Sequence, residues 1–117
     1  MKSYRPQRVG GQIKRELSEI FQLNRSEFGG YLLTVTEVRL PRDLRNARVW
    51  VSVYGSSDER SEAIKLLNRM SGRIRHLLIE RIHIKRIPEL TFKLDETLDT
   101  AERIDILLKE SGMMDNR

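Results

Sequence analysis

Apolar positions recur along the chain in two rhythms. Val9, Ile13, Leu17, Ile20 and Phe21 fall at spacings of three and four, the stripe of an amphipathic helix over about residues 6–24. Pro6 suits its first turn, where a missing N–H costs nothing. Gly10 and Gly11 weaken those turns by about 1 kcal/mol each against Ala, so this end is expected to fray or be held by a partner. Gly29-Gly30 marks a break. Residues 32–40 read as a strand of mixed phase, with Leu33 and Val35 on one side and Leu32, Val38 and Leu40 on the other. A bulge or two-sided burial would reconcile them. After the polar turn Pro41–Asn46 comes the most regular alternation in the chain. Ala47, Val49, Val51 and Val53 line one face of a strand, and Arg48, Trp50, Ser52 and Tyr54 the other.

Gly55–Asp58 ends that strand and offers helix caps. Ala63, Ile64, Leu67 and Met70 then form a helical stripe. Ser71-Gly72 interrupts it, and Ile74, Leu77, Leu78 and Ile82 resume it to about residue 85. Ile87-Pro88 stops the helix, and Leu90, Phe92 and Leu94 alternate as a third strand. Leu98, Ala101, Ile104, Leu107 and Leu108 predict a last helix capped by Thr97 or Asp99. The order is α-β-β-α-α-β-α. The short turn makes the first two strands an antiparallel hairpin. The helix pair is long enough to cross over and set the third strand parallel to the second. The expected fold is α+β, a three-stranded mixed sheet with its regular strand central and helices on its Ala47/Val49/Val51/Val53 face. At 117 residues the chain is one domain, assigned to residues 1–111 with a flexible tail at 112–117.

Composition narrows the chemistry. There is no cysteine, which excludes disulfides, thiolate metal sites and a Cys nucleophile. Its absence is compatible with the cytosol. No apolar run approaches the ~18 residues of a membrane span, and the basic start leads into no apolar segment of a secretory signal. His76 and His83, seven apart, have no third ligand near them. The carboxylates Asp95, Asp99, Glu102 and Asp105 read as a solvated acidic helix end. No glycine-rich phosphate loop and no nucleophile–base–oxyanion set is present. The chain reads as a non-enzyme without metal, cofactor or small-molecule substrate.

The net charge of +5 is unevenly spread. Residues 65–86 carry seven basic side chains against one acid, Glu80, while residues 87–117 carry four basic against eight acidic. The surplus straddles Arg69-Met70-Ser71-Gly72-Arg73-Ile74-Arg75. A break there exposes the N–H groups that open a second helix. Gly72 admits a close backbone, Ser71 can cap, and Arg69, Arg73 and Arg75 supply charge. The pattern points to RNA laid across the break.

These residues carry a resemblance to bacterial ribosome-binding factor A over nearly the whole chain. It rests on Arg5-Pro6-Gln7-Arg8-Val9, Arg15-Glu16-Leu17, Val35-Thr36-Glu37-Val38, Arg42-Asp43-Leu44 with Ala47, Val49–Val53, Ser71-Gly72-x-Ile74-Arg75 and Pro88–Phe92 followed by Asp95. The resemblance implies a type II KH-like fold in which a helix–kink–helix, commonly Ala-x-Gly, replaces the Gly-x-x-Gly loop. Here the pattern is Met70-Ser71-Gly72, and the bulkier Met can change the kink angle. It also implies a cytoplasmic assembly factor, taken as a monomer, that binds the immature 30S subunit and its 16S rRNA. Such factors support late rRNA processing, above all in the cold. On this reading Arg69, Arg73, Arg75, Arg81, Lys85 and Arg86 face phosphates with Ser71 and Gly72, helped by Arg5, Arg8 and Lys14. The alternative is a protein adaptor that binds a partner through the open sheet face with Trp50 and Tyr54. The preferred reading of Trp50 is packing under a loop or helix end.

Overall fold

A computed structural model describes residues 4–96. The first helix, α1 (Tyr4–Leu23), leads through a short 3₁₀ turn (Arg25–Phe28) into β1 (Leu32–Arg39) and β2 (Asn46–Tyr54). Next come α2 (Ser57–Arg69), α3 (Ser71–Ile79) and β3 (Glu89–Leu94). The expected last helix and tail lie outside the described residues. The sheet order is β1-β2-β3, with β2 antiparallel to β1 and parallel to β3. This is the α+β, KH-like order read from the sequence.

The mixed phase of the first strand is a bulge. Val35 pairs with Val51, Glu37 with Trp50 and Val38 with Val49, so the register shifts at Thr36. The extra residue returns Val38 to the side of Leu33 and Val35, and all three join the core, while Leu32 stays exposed. Two residues on one strand facing one on the other is the way a bulge changes phase.

The helices cover one face of the sheet. Ala47, Val49, Val51 and Val53 are fully buried there with Ile13, Leu17, Ile20, Leu67, Ile74, Leu78 and Phe92. Phe21 sits edge-on to Phe28, ring centroids 5.4 Å apart, and closes the core beside Phe92. Gly10 has a packing reason to lack a side chain. A Cβ there would lie 3.1 Å from the Val38 carbonyl oxygen. The glycine-bearing turn of α1 packs against the chain's own first strand.

Helix α3 is shorter than the apolar pattern predicts. It ends at Ile79, and the Arg81 and Ile82 N–H groups both donate to the Leu78 carbonyl. Ile82 and Ile87 are buried from the irregular segment that follows. Burial alone produced the continued pattern, because an irregular segment can turn apolar residues inward as a helix does. Ser71 does not cap α3. Met70 is the N-cap, without a side-chain cap bond. Met70 is also the only residue between α2 and α3, half-buried against the core. A break one residue wide leaves Ser71 already helical.

Candidate nucleic-acid interface

The helix break is positioned from both sides. Helix α2 begins at a capping box. Ser56 Oγ accepts from the Glu59 N–H, and the Glu59 carboxylate accepts from the Ser56 N–H. These bonds hold the Glu59 carboxyl below its ordinary pKa, the backbone bond contributing most. Helix α2 ends where Asn68 is tied to β3. Its side-chain amide donates to the Phe92 carbonyl (2.9 Å), and its carbonyl oxygen accepts from the Phe92 N–H (2.8 Å). Two residues on, at Met70, the chain turns into α3.

Around the break, Arg69 is exposed and has no carboxylate partner among the described residues. Arg73 is exposed but paired, its Nε 2.8 Å from Glu27, whose charge and hydrogen bond raise the guanidinium pKa further. Gly72 is exposed, and a Cβ there would meet nothing within 4 Å. Packing therefore does not demand glycine at this position.

Two of the expected cations have inward roles. Arg75 donates from Nε and Nη2 to the Ile87 carbonyl at 3.0 and 2.7 Å, and Nε also reaches the Pro88 carbonyl at 3.3 Å. It ties α3 to the segment entering β3. Arg81 Nε lies 2.8 Å from Glu16, and its Nη2 pairs with Glu19. It ties the end of α3 to α1. Arg81 is paired with two carboxylates, while Arg75 keeps its charge but has one edge of its guanidinium held on backbone carbonyls.

The remaining members separate. Arg5 and Arg8 belong to the first turns of α1, with Lys14 exposed farther along it. Lys85 and Arg86 are exposed in the segment before β3. That segment follows α3, and Lys85 and Arg86 line a hollow there with Arg75, Ile79 and Ile82. The cations fall in two zones, one at the break and one along this segment.

The second zone contains cations that charge counting along the chain missed. Arg42 from the β1–β2 turn lines a cleft of about 440 Å³ together with Lys85 and Arg86. Arg48 lines an adjoining hollow of about 290 Å³ beside Leu40 and Pro41. The signal in the sequence was Arg39, Arg42, Arg45 and Arg48 against the single acid Asp43, a local surplus that a count over the longer N-terminal stretch averaged away. Only the fold sets this turn beside Lys85 and Arg86.

The open sheet face is less bare than the sequence suggests. Trp50 is half-buried, with the Arg39 guanidinium carbon 5.5 Å from its ring centroid. Arg39 is also paired with Glu37. Among the described residues, the neighbouring strand's Arg39 lies over Trp50. Thr36, at the bulge, donates to the Asp95 carboxylate and lies 3.2 Å from the Trp50 carbonyl.

A family model described as Ribosome-binding factor A matches residues 5–108. The chain belongs to the ribosome-binding factor A family. Ribosome-binding factor A of Thermomicrobium roseum is 38% identical over 110 residues, 94% of this chain and 85% of the relative. That of Halothermothrix orenii is also 38% identical, over 94% of this chain and 90% of the relative. The crystal structure of ribosome-binding factor A from Thermus thermophilus superposes with a TM-score of 0.65 at 29% identity, covering 76% of this chain and 94% of that one. A homology model of the Thermus thermophilus factor, as fitted into the cryo-EM map of a 30S complex, gives a TM-score of 0.63 at 28% identity, over 77% and 94% of the two chains. The family fold thus extends over the break and the three-stranded sheet described above.

Proposed function

We propose that this chain binds the immature 30S ribosomal subunit through its 16S rRNA and assists late maturation and rRNA processing, with the greatest need in the cold. It acts as a cytoplasmic monomer, without catalysis. The observation that carries the reading is the likeness, across the described fold, to a family member placed in a 30S complex map. The cation distribution supports it, because the acids that neutralise Arg73 and Arg81 leave Arg8, Lys14, Arg69, Lys85 and Arg86 without carboxylate partners among the described residues. RNA lies across the break at Arg69, Ser71, Gly72 and Arg73, with Arg5 and Arg8 contributing from α1. Arg75 and Arg81 support the surface by positioning α3.

Cosedimentation with small subunits from cold-shifted cells across a salt series tests this. Binding should weaken steeply with salt, because each cation on a phosphate releases counterions. Arg69→Glu should reduce the bound fraction several-fold with the fold intact. Affinity indifferent to salt and lost on Trp50→Ala would instead favour the protein-adaptor reading.

A further inference from the structure

The cleft between the β1–β2 turn and the segment before β3 is built differently from the helix break. Its floor is apolar: Val9 from α1, Leu44 from the turn and Ile84 from the segment. Its rim is cationic: Arg42, Lys85 and Arg86. These three are exposed and have no carboxylate partners among the described residues. The one acid in the lining is Asp43, whose Oδ1 accepts from the Arg45 N–H at 3.1 Å. That bond turns one carboxylate oxygen toward the chain's own backbone.

Leu44 is the only non-glycine residue at positive φ among those described, at 57°. A leucine in this conformation is strained, where Asn or Gly would be at ease. Its N–H donates to the Pro41 carbonyl at 3.0 Å, which closes the turn, and its side chain lines the cleft. The turn thus carries an apolar side chain at the position least suited to one.

An apolar floor with a cationic rim matches a nucleotide, whose base is flat and apolar on its faces and whose phosphate is anionic. The cleft, about 440 Å³, falls in the size range of small-molecule sites. Unpaired RNA bases are commonly splayed into such hollows while phosphates meet Arg and Lys. On the other side of the same turn, Arg48 lines the adjoining hollow with Leu40 and Pro41. A polymer can run past both, and a free nucleotide would use only one.

We propose that this cleft takes one unpaired nucleotide of an RNA strand, its base against Val9, Leu44 and Ile84 and its phosphate between Arg42, Lys85 and Arg86. The proposal rests on the RNA-binding reading and adds to it a second contact, beside the β1–β2 turn.

The test is fluorescence anisotropy of the full chain with a labelled twelve-nucleotide oligouridylate. Two variants probe the two halves of the cleft. Replacing the rim (Arg42→Gln, Lys85→Gln, Arg86→Gln together) should weaken binding about tenfold. Leu44→Asn removes floor while easing the backbone, so it should fold at least as well and still bind several-fold more weakly. A central abasic spacer in the oligonucleotide should weaken binding to the unaltered chain and have little further effect on Leu44→Asn. Wild-type affinity in both cleft variants, with loss on Arg69→Glu, would overturn the cleft while leaving the RNA reading intact. Absence of binding by the unaltered chain would sink both. Uridine monophosphate competing as strongly as the oligomer would make this a free-nucleotide pocket and overturn the RNA assignment.

Discussion

Asn68 completes the free edge of β3. Its side-chain amide meets both main-chain polar groups of Phe92, donating at 2.9 Å and accepting at 2.8 Å. An amide presents a donor and an acceptor side by side, so it substitutes for a neighbouring strand at that point. It also fixes where α2 ends, two residues before the break. Asn68→Ala leaves two groups of an edge strand unpaired beneath a helix. The expected cost is about 1–3 kcal/mol, read as a lower urea midpoint with an unchanged slope. An unchanged midpoint would show that water replaces the amide.

Arg75 and Arg69 should behave oppositely. Arg75 donates to backbone carbonyls at the entry to β3, so Arg75→Ala should lower stability by about 1.5–3 kcal/mol, the range for bonds with a charged donor. RNA affinity of the folded fraction should change little. Arg69→Ala should leave the unfolding free energy within about 0.5 kcal/mol of wild type and weaken subunit binding. Paired melting and cosedimentation measurements separate the two.

Adjacent glycines in α1 should also diverge. A Cβ at Gly11 meets nothing within 4 Å, so Gly11→Ala should stabilise by about 0.5–1 kcal/mol through helix propensity. A Cβ at Gly10 would press on the Val38 carbonyl at 3.1 Å. Gly10→Ala must therefore move α1 from β1, and its melting temperature should fall relative to Gly11→Ala. Equal gains at both sites would show that the interface yields easily.

Gly72→Ala tests what the break is for. The added methyl group has open space, so the helix should gain about 0.5–1 kcal/mol. If RNA lies against this bare backbone, the same change should weaken binding. A stabler protein with undiminished affinity would remove Gly72 from the contact.

The capping box gives stability a defined acid limb. Glu59 has its pKa lowered in the folded chain by the Ser56 bonds. A depressed carboxylate stabilises above its unfolded pKa, and the contribution disappears as pH falls through the folded value. Glu59→Gln keeps a capping partner but has no charge to lose, so its stability should fall less on acidification below the ordinary glutamate range. Ser56→Ala should cost about 0.5–2 kcal/mol at neutral pH. Unfolding curves of the three proteins between neutral pH and pH 3 make the comparison.

The order of the described elements, the central place of β2 and the buried face of the sheet were legible in the amino-acid sequence. These follow from local periodicity, which is written along the chain: two for a strand, 3.6 for a helix. The sequence also exposed a mixed phase over residues 32–40, and the structure resolved this as a bulge at Thr36. It could not place the end of α3, because Ile82 and Ile87 look apolar whether the backbone is helical or irregular. It could not tell Arg73, Arg75 and Arg81 from free cations. Their partners lie at Glu27, at the Ile87 and Pro88 carbonyls, and at Glu16 and Glu19, separations of 12 to 65 residues that only folding closes. For the same reason the cluster of Arg42 with Lys85 and Arg86 was invisible. Charge is additive along a chain, but a field depends on distance through space. Folding therefore selects which cations remain for RNA, and it divides them between the helix break and the cleft beside the β1–β2 turn.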